Sequence, residues 1–414
     1  MKRAVLVICD GLRADLLSPE WTPNLSRMAA AGRSFTAHRS VFPSTTRTTS
    51  ASIATGCHPA RHGLQGNAVA LDEGQGLVAL TVGAPDFRDR LRRATGATLQ
   101  VPTLAERLAG DGGCIVYSNV SPGAAYFQDP DGHGHVYHRG GSFGPGLTPI
   151  ENLTVSHDAD GDTAMTERFC NEVLRDRRPA LAVLWQCEPD HSQHGYALGS
   201  PQHLAAVASA DANAARVAAT VEDLNADGED ILLIVASDHG HETVDRIIDL
   251  DRLLIDAGLK DAEGSSDVVV ASQGTSALIY LADNARHRLE NILGFLEGVG
   301  SVHSGDRLAD LGQRTDGALA IAIDGHKTDA PNAFGINGLS DAFFNQFSTE
   351  TESGNGQHGG LGRYEQNPFM IITGGGFAPG SATDTPTSAV DIAPTILGHL
   401  GLPSHGMDGK SLLK

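Results

Sequence analysis

The stretch that decides the fold is Ala4-Val5-Leu6-Val7-Ile8-Cys9, which is apolar without interruption and is followed by Asp10-Gly11. A short run that is apolar at every position, rather than at alternate positions, is typical of a strand buried on both faces of a parallel sheet. The Asp-Gly pair predicts that this strand ends in a turn. An α/β architecture is therefore indicated from the start of the chain.

Further runs and helical segments alternate along the rest of the sequence. Apolar runs recur at Leu181–Trp185, Ile231–Ala236 and Pro368–Ile372. This alternation predicts an α/β fold with a mostly parallel central sheet flanked by helices. Because ligands of such sheets bind beyond the carboxyl ends of the strands, the residues after each run are the candidate site. The segments with helical periodicity are Thr22–Ala31, Thr48–Ala54, Pro201–Ala226 and Ala389–Leu400.

Residues 242–353 have a different pattern, with short strand candidates at Asp267–Ala271 and Ala277–Leu281, a helix candidate at Arg286–Leu296, and Gly- and Asp-rich sequence after it. We interpret 242–353 as an inserted cap or lid. Residues 1–241 and 354–414 would then form the catalytic core.

Composition excludes several classes of protein. The 414 residues include 30 Lys and Arg against 50 Asp and Glu, a formal net charge of −20. Such a charge repels polyanions, which argues against binding to a nucleic-acid polymer or to an anionic membrane. Five scattered cysteines form no CxxC pair, and no apolar run is long enough for a membrane span or a signal peptide. We therefore expect a cytoplasmic protein, in which a phosphate-bearing ligand would need local positive charge.

Metal-ligand residue types follow the predicted strands. Asp and His are common ligands of catalytic zinc, and six of them form two open three-ligand sites. Two neighbouring divalent cations suit in-line displacement at phosphorus. The six candidates are Asp10, Asp190, His194, Asp238, His239 and His358.

The order Asp…Thr…Asp-x-x-x-His…Asp-His…His resembles the alkaline phosphatase superfamily, and most closely its type I phosphodiesterase / nucleotide pyrophosphatase branch. The similarity runs from Val5 to about Lys410. It implies that one metal is bound by Asp190, His194 and His358. The second metal would be bound by Asp10, Asp238 and His239, and the nucleophile Thr46 would be a further ligand of this metal.

The nucleophile is assigned by the same resemblance. In the family it lies at a helix start, nine residues before the Thr of a Thr-Gly pair, and counting back from Thr55-Gly56 gives Thr46. Thr45 is the alternative nucleophile. The family usually has Pro-Asn-His where this chain has Thr48-Thr49-Ser50, which leaves the substrate preference open.

Asn67 is the second catalytic candidate, because His62-Gly63-Leu64-Gln65-Gly66-Asn67 resembles the family's His-Gly-x-x-x-Asn. The resemblance implies that the Asn67 amide donates to a phosphoryl oxygen. A neutral donor suits a singly charged diester better than a dianionic monoester.

The resulting prediction is a two-metal hydrolase of phosphate diesters that acts through a phospho-threonine intermediate, with two divalent ions, for which we expect Zn²⁺. Its partner would be a small phosphate- or phosphonate-containing substrate. Alternatives are a phosphonate hydrolase, such as one that acts on phosphonoacetate, and a phosphomonoesterase, which Arg47 beside Thr46 would serve. The non-enzymatic alternative is a catalytically silent metal-binding protein. His191 and His241 adjoin ligands and are interpreted as supporting or structural residues.

Overall fold

A sheet of ten strands forms the centre of the protein. The structure, a computed structural model, describes residues 2–348 and 351–413. In spatial order the strands of this sheet are Ser381–Thr383, Arg33–Phe35, Met370–Thr373, Asp230–Ala236, Lys2–Cys9, Leu181–Gln186, Cys114–Ser118, His135–His138, Ser142–Gly144 and Thr148–Ile150.

The middle of this sheet is parallel. Lys2–Cys9 pairs in parallel with Leu181–Gln186 on one side and with Asp230–Ala236 on the other. The α/β prediction with a mostly parallel sheet is thus confirmed. Met370–Thr373 is antiparallel to Asp230–Ala236.

Both faces of the sheet are covered, which explains why its strands are apolar at every position. Ala4, Leu6 and Ile8 belong to one hydrophobic core, which also contains the carboxy-terminal helix Ile392–Leu400. Their alternate neighbours point into a second core beneath the long helix Pro201–Ala226. Complete burial of each aliphatic side chain contributes about 1.5–3 kcal/mol, so the two cores fix the sheet on which the site is built.

Two four-stranded sheets lie in the later part of the chain. The first consists, in order, of Val268–Ser272, Ser276–Leu281, Leu319–Gly325 and Gly300–Ser304. The second consists of Lys327–Pro331, Asn337–Phe343, Glu242–Ile248 and Gly356–Gln357. The division of the chain at residues 242 and 354 stays a prediction. Two strand pairs, Ala68–Asp72 with Leu77–Thr81 and His38–Arg39 with Thr387–Ser388, complete the sheets.

Helices pack around these sheets. No helix within the described residues is both long and apolar enough to cross a bilayer. A π-helix, Phe169–Arg177, continues the helix Ala159–Arg168. Short 3₁₀ turns occupy Ala14–Leu16, Pro145–Leu147, Asp283–Arg288 and Ala389–Asp391. Besides Ala159–Arg168, Pro201–Ala226 and Ile392–Leu400, the α-helices of the described residues are Pro23–Ala31, Thr46–Thr55, Pro59–His62, Phe87–Thr95, Leu104–Leu108, Pro122–Tyr126, Asp190–Gly195, Leu250–Asp256, Leu289–Leu296, Asp306–Asp310 and Arg363–Gln366.

Candidate active site

The carboxyl ends of the three central strands bring three aspartates together. Asp10 directly follows the strand Lys2–Cys9, Asp238 follows Asp230–Ala236, and Asp190 begins the short helix after Leu181–Gln186. Parallel neighbours end at the same edge of a sheet, so sequence-distant residues meet there. All six predicted ligands lie in two adjoining groups at this edge.

The first group centres on Asp190 Oδ1. His194 Nε2 and His358 Nε2 each lie 3.5 Å from it. The Nε2 atom of His241 lies 3.1 Å from the same oxygen, so the structure adds a fourth residue to the predicted set of three. We call these four residues the first cluster; their ligand atoms lie within 4.8 Å of one another.

The second cluster consists of Asp10, Asp238 and His239, which the structure brings together as candidate ligands. His239 Nε2 lies 3.4 Å from Asp10 Oδ1 and 3.3 Å from Asp238 Oδ2. It is also 4.0 Å from Asp190 Oδ1, so the two clusters adjoin at this imidazole. The Nδ1 atom of His239 faces the Gly240 carbonyl at 3.1 Å, which orients the ring.

The residues of both clusters fit divalent cations. In each aspartate of the second cluster one oxygen has a protein donor: Trp185 Nε1 donates to Asp10 Oδ2 at 2.9 Å, and the Gly11 N–H to Asp238 Oδ1 at 3.1 Å. Across the described chain, Asp10 Oδ1, Asp238 Oδ2 and Asp190 Oδ1 are buried and accept no hydrogen bond. Buried anionic oxygens without donors are costly unless a cation compensates them. Two ligands about 2.0–2.1 Å from a tetrahedral ion lie about 3.3 Å apart, close to the separations observed here.

Burial and mutual charge shift the pKa values of the clustered residues. Burial, followed by the charges of Asp238 and Asp190, raises the pKa of Asp10 well above its usual value. Burial also opposes ionisation of Asp190, but the adjacent His194 and His241 hold its pKa well below the usual range. Burial lowers the pKa of His241 to about 4, so this imidazole is neutral at physiological pH, the form that binds metals.

Thr46 lies next to the second cluster. It is the first residue of the helix Thr46–Thr55, and its Oγ1 is 3.1 Å from His239 Nε2. The hydroxyl of the alternative nucleophile, Thr45, is fully buried and donates to Thr48 Oγ1 at 2.9 Å. The geometry therefore favours Thr46 over Thr45 as the residue that faces a substrate.

The segment before Thr46 is joined to the loop that carries His358. His358 Nδ1 lies 2.8 Å from the Ser44 carbonyl, and Ser44 Oγ donates to the Gly360 carbonyl at 2.9 Å. A ligating histidine whose other ring nitrogen is hydrogen-bonded has a fixed orientation. These two hydrogen bonds thus fix the position of the segment before Thr46 relative to the first cluster.

Asn67 lies against the start of the same helix. The backbone N–H of Arg47 donates to Asn67 Oδ1 at 3.1 Å, which directs the amide nitrogen away from this contact. The Arg47 guanidinium donates to the Asn67 carbonyl and, through Nε, to Ser121 Oγ. Gln273 Oε1 accepts from the Asn67 N–H at 2.7 Å. Arg47 thus supports the backbone of Asn67.

A buried ionic cluster supports the His358 loop. Lys327 Nζ lies 2.7 Å from Glu365 Oε1, 3.3 Å from Asp324 Oδ1 and 3.6 Å from Glu242 Oε2. Glu365 Oε2 in turn accepts from the Gly360 N–H at 2.9 Å. One buried ammonium is therefore shared by three carboxylates next to the His358 loop.

We expect Lys327→Met to lower the free energy of unfolding by about 3 kcal/mol, because it leaves buried carboxylates without a cation. Burial already raises the pKa of Glu242 to about 7 and that of Asp324 to about 6. Loss of the ammonium raises both pKa values further, so the folded variant binds extra protons in acid. Its deficit in urea denaturation should then be larger at pH 8 than at pH 5. Arg314→Met, which removes a more exposed pair with Asp316, is the control and should cost less than about 1 kcal/mol at both pH values. An equally small deficit for Lys327→Met would contradict the prediction.

Fold and site together agree with a hydrolase of the alkaline phosphatase superfamily. The type I phosphodiesterase / nucleotide pyrophosphatase family matches residues 4–296, which is most of the chain. The chain belongs to this family and is a hydrolase of the phosphodiesterase/pyrophosphatase class. No curated protein sequence matches it significantly.

Solved structures share the fold. Murine ectonucleotide pyrophosphatase/phosphodiesterase 5 is 17% identical, with a TM-score of 0.71 over 99% of this chain and 97% of that one. An inactive threonine-to-alanine variant of the murine protein in complex with AMP is 17% identical, with a TM-score of 0.70 over 99% and 98% of the two chains. The human protein is 16% identical, with a TM-score of 0.69 over 99% and 97%.

Proposed function

We propose that this protein hydrolyses phosphate diesters through a phosphorylated Thr46. The observation that carries the proposal is the position of Thr46 Oγ1, 3.1 Å from His239 Nε2 at the edge of the second cluster. The inactive murine threonine-to-alanine variant supports an essential threonine in a protein of this fold. The amino-terminal end of a helix also favours an anionic oxygen by about 0.3–1 kcal/mol.

The chemistry divides between the ions and the chain. Two divalent cations held by these residues would supply Lewis-acid chemistry, by neutralising phosphoryl charge and favouring the alkoxide form of a nearby hydroxyl. The Asp and imidazole ligands suit zinc, which we propose, and also suit other first-row ions. The chain supplies the nucleophile and its orientation.

The reaction proceeds in two displacements. Thr46 Oγ1 loses its proton to solvent and bonds to phosphorus, while the bond from phosphorus to the leaving oxygen breaks and the leaving group takes up a proton. Water then attacks the phosphorus, the bond to Oγ1 breaks, and Thr46 regains a proton. His239, whose Nδ1 is oriented by the Gly240 carbonyl, keeps its ring edge directed at Thr46 throughout.

Asn67 stabilises the phosphoryl group. Its Oδ1 accepts from the Arg47 N–H, so its Nδ2 is the group available to donate to a phosphoryl oxygen. The Arg47 contacts to Ser121 and to the Asn67 backbone engage the guanidinium that a phosphomonoesterase would use to bind its dianion. This is the observation that favours diesters over monoesters.

We expect Asn67→Asp to reduce kcat/KM for a diester by about 100-fold or more, because the new carboxylate cannot donate and repels the phosphoryl oxygens. Asn67→Ala should lose somewhat less, since it adds no charge. Measured cation content should be unchanged in both variants. Equal activity of wild type and Asn67→Asp would show that Asn67 does not touch the phosphoryl group.

A nucleotide is the substrate we favour, because the murine relative is solved in complex with AMP. The net charge of −20 would otherwise repel such an anion, and the cations supply the local attraction. We propose a small substrate, with no nucleic-acid polymer and no membrane as partner. A cytoplasmic location also remains a proposal.

Paired substrates test the proposed function. Bis(p-nitrophenyl) phosphate, p-nitrophenyl phosphate and phosphonoacetate would be compared on one preparation whose metal content has been measured by elemental analysis. We expect about two ions per chain and a higher kcat/KM for the diester. A preference for the monoester would contradict the diesterase assignment, and turnover of phosphonoacetate alone would identify a phosphonate hydrolase. Bound metal without turnover of any of the three, or of nucleotide diesters, would indicate a silent metal-binding protein.

A further inference from the structure

His241 occupies a place in the first cluster that the ligand pattern Asp-x-x-x-His…His does not include. Its ring is fully buried, and its centroid lies 5.2 Å from that of His194 and 4.8 Å from that of His358. The Nε2 atom lies 3.1 Å from Asp190 Oδ1, whereas those of the two assigned histidines lie 3.5 Å from it. By this measure His241 is placed as well as the two residues assigned as ligands.

The contact between His241 and Asp190 is not a well-directed hydrogen bond. Neither His241 Nε2 nor Asp190 Oδ1 has a hydrogen-bond partner anywhere in the described chain, although both atoms are buried. A close approach of His241 Nε2 and Asp190 Oδ1 without a hydrogen bond is the arrangement expected of two ligands of one cation. Separations near 3.3 Å are those of tetrahedral coordination.

Neighbouring residues fix the ring of His241. Its Nδ1 lies 3.3 Å from the Gly11 carbonyl, so an N–H at this position leaves the Nε2 lone pair directed at the cluster. Gln193 Nε2 donates to the same carbonyl at 3.0 Å, and Gln193 Oε1 accepts from His203 Nε2 at 3.2 Å. The His203 tautomer is set by the Gly199 N–H, which donates to its Nδ1.

Gly11 makes room for this arrangement. A Cβ atom at this position would lie 2.6 Å from His241 Cε1, and the backbone has φ of +70°, a conformation that favours glycine. Glycine at position 11 therefore leaves space for the His241 imidazole to lie beside Asp190.

We propose that His241 is a fourth protein ligand of the cation bound by Asp190, His194 and His358. The first cluster then offers one carboxylate and three imidazoles, and the second offers two carboxylates and one imidazole. The proposal rests on the proposed two-cation function. The competing arrangement has His241 Nε2–H donate to Asp190, with Nδ1 accepting from Gln193 at 3.2 Å, so that His241 only orients a ligand.

Cobalt-substituted wild-type protein distinguishes the two arrangements. Each imidazole bound to Co²⁺ has one remaining N–H, whose proton resonance is strongly shifted and is lost in D₂O. The proposal predicts one such signal for each of His194, His241, His358 and His239, and the competing arrangement predicts none for His241. Assignment uses His241→Gln, in which one signal should disappear.

Metal affinity gives a second readout that does not depend on activity. In competition titrations with a chelator, His241→Leu and His241→Gln should bind one of two Co²⁺ ions more than about 100-fold more weakly than wild type, a larger loss than the about 10–100-fold expected if His241 only orients a ligand. His62→Leu, which replaces another fully buried histidine, should bind both ions as wild type does. Wild-type affinity and an unchanged cobalt spectrum in both His241 variants would overturn the proposal alone. Failure of wild type to bind two ions would overturn the two-cation function with it.

Discussion

Replacing Thr46 by alanine should lower kcat for a diester by at least about 10³-fold, because the variant has no oxygen to attack phosphorus. The helix start should persist, and Asp10, Asp238 and His239 remain to bind the second cation. Cation content measured on the purified variant should therefore equal that of wild type. Steady-state kinetics of the two proteins, each at its measured metal content, check this prediction.

Two controls make the Thr46 result specific. Thr46→Ser keeps a hydroxyl at the same position and should retain far more activity than the alanine variant. Thr45→Ala removes the neighbouring hydroxyl, which donates only to Thr48, and should have a small effect. If Thr46→Ala were nearly as active as wild type, or if Thr45→Ala were the dead variant, the nucleophile would be misassigned.

Asp238→Asn should have opposite effects on the metal-free and metal-bound protein. Asp10, Asp190 and Asp238 crowd their carboxylates, and burial raises the pKa of Asp238. An isosteric amide removes one negative charge, so the metal-free variant should be more stable by about 1 kcal/mol. It should bind one cation at least about 100-fold more weakly and lose most of its activity. Thermal unfolding with and without added Zn²⁺, together with metal titration, measures both effects.

Asp162→Asn is the matched control for Asp238→Asn. Asp162 is equally buried, but its oxygens accept from Asn119 Nδ2 and from the backbone N–H groups of Cys187 and Glu188. An amide there would oppose one N–H donor with another, so the variant should be less stable with or without metal. If Asp238→Asn behaved like Asp162→Asn, the acidic cluster would be structural and not a cation site.

The sequence predicted the centre of the fold well and its periphery poorly. Runs such as Leu181–Trp185 are apolar throughout because both faces of the strand are covered. Such a run can be recognised in a single sequence. Strands near one edge of the sheet, such as His135–His138 and Ser142–Gly144, are only four and three residues long and lack a continuous apolar run. Their pairing depends on contacts with distant strands, which local patterns do not record.

The candidate site was predictable wherever its residues follow strands. Asp10 and Asp238 end buried runs, and the six expected ligands do converge. The sequence predicts only a supporting role for His241, because neither its spacing nor the family pattern indicates that its ring turns toward Asp190. The one sequence signal for His241 is that it is a second histidine, two residues after His239. Its placement depends on Gly11 and on the Gln193–His203 contacts, which are tertiary.

The measurement that most directly tests a covalent Thr46 intermediate is the stereochemical course at phosphorus. A diester made chiral by sulfur and oxygen isotopes would be hydrolysed by the wild-type protein, and the configuration of the product would be determined by ³¹P NMR. Each in-line displacement inverts phosphorus, so attack by Thr46 followed by attack by water predicts net retention. Net inversion would mean that water attacks the substrate directly, and would contradict the role given to Thr46.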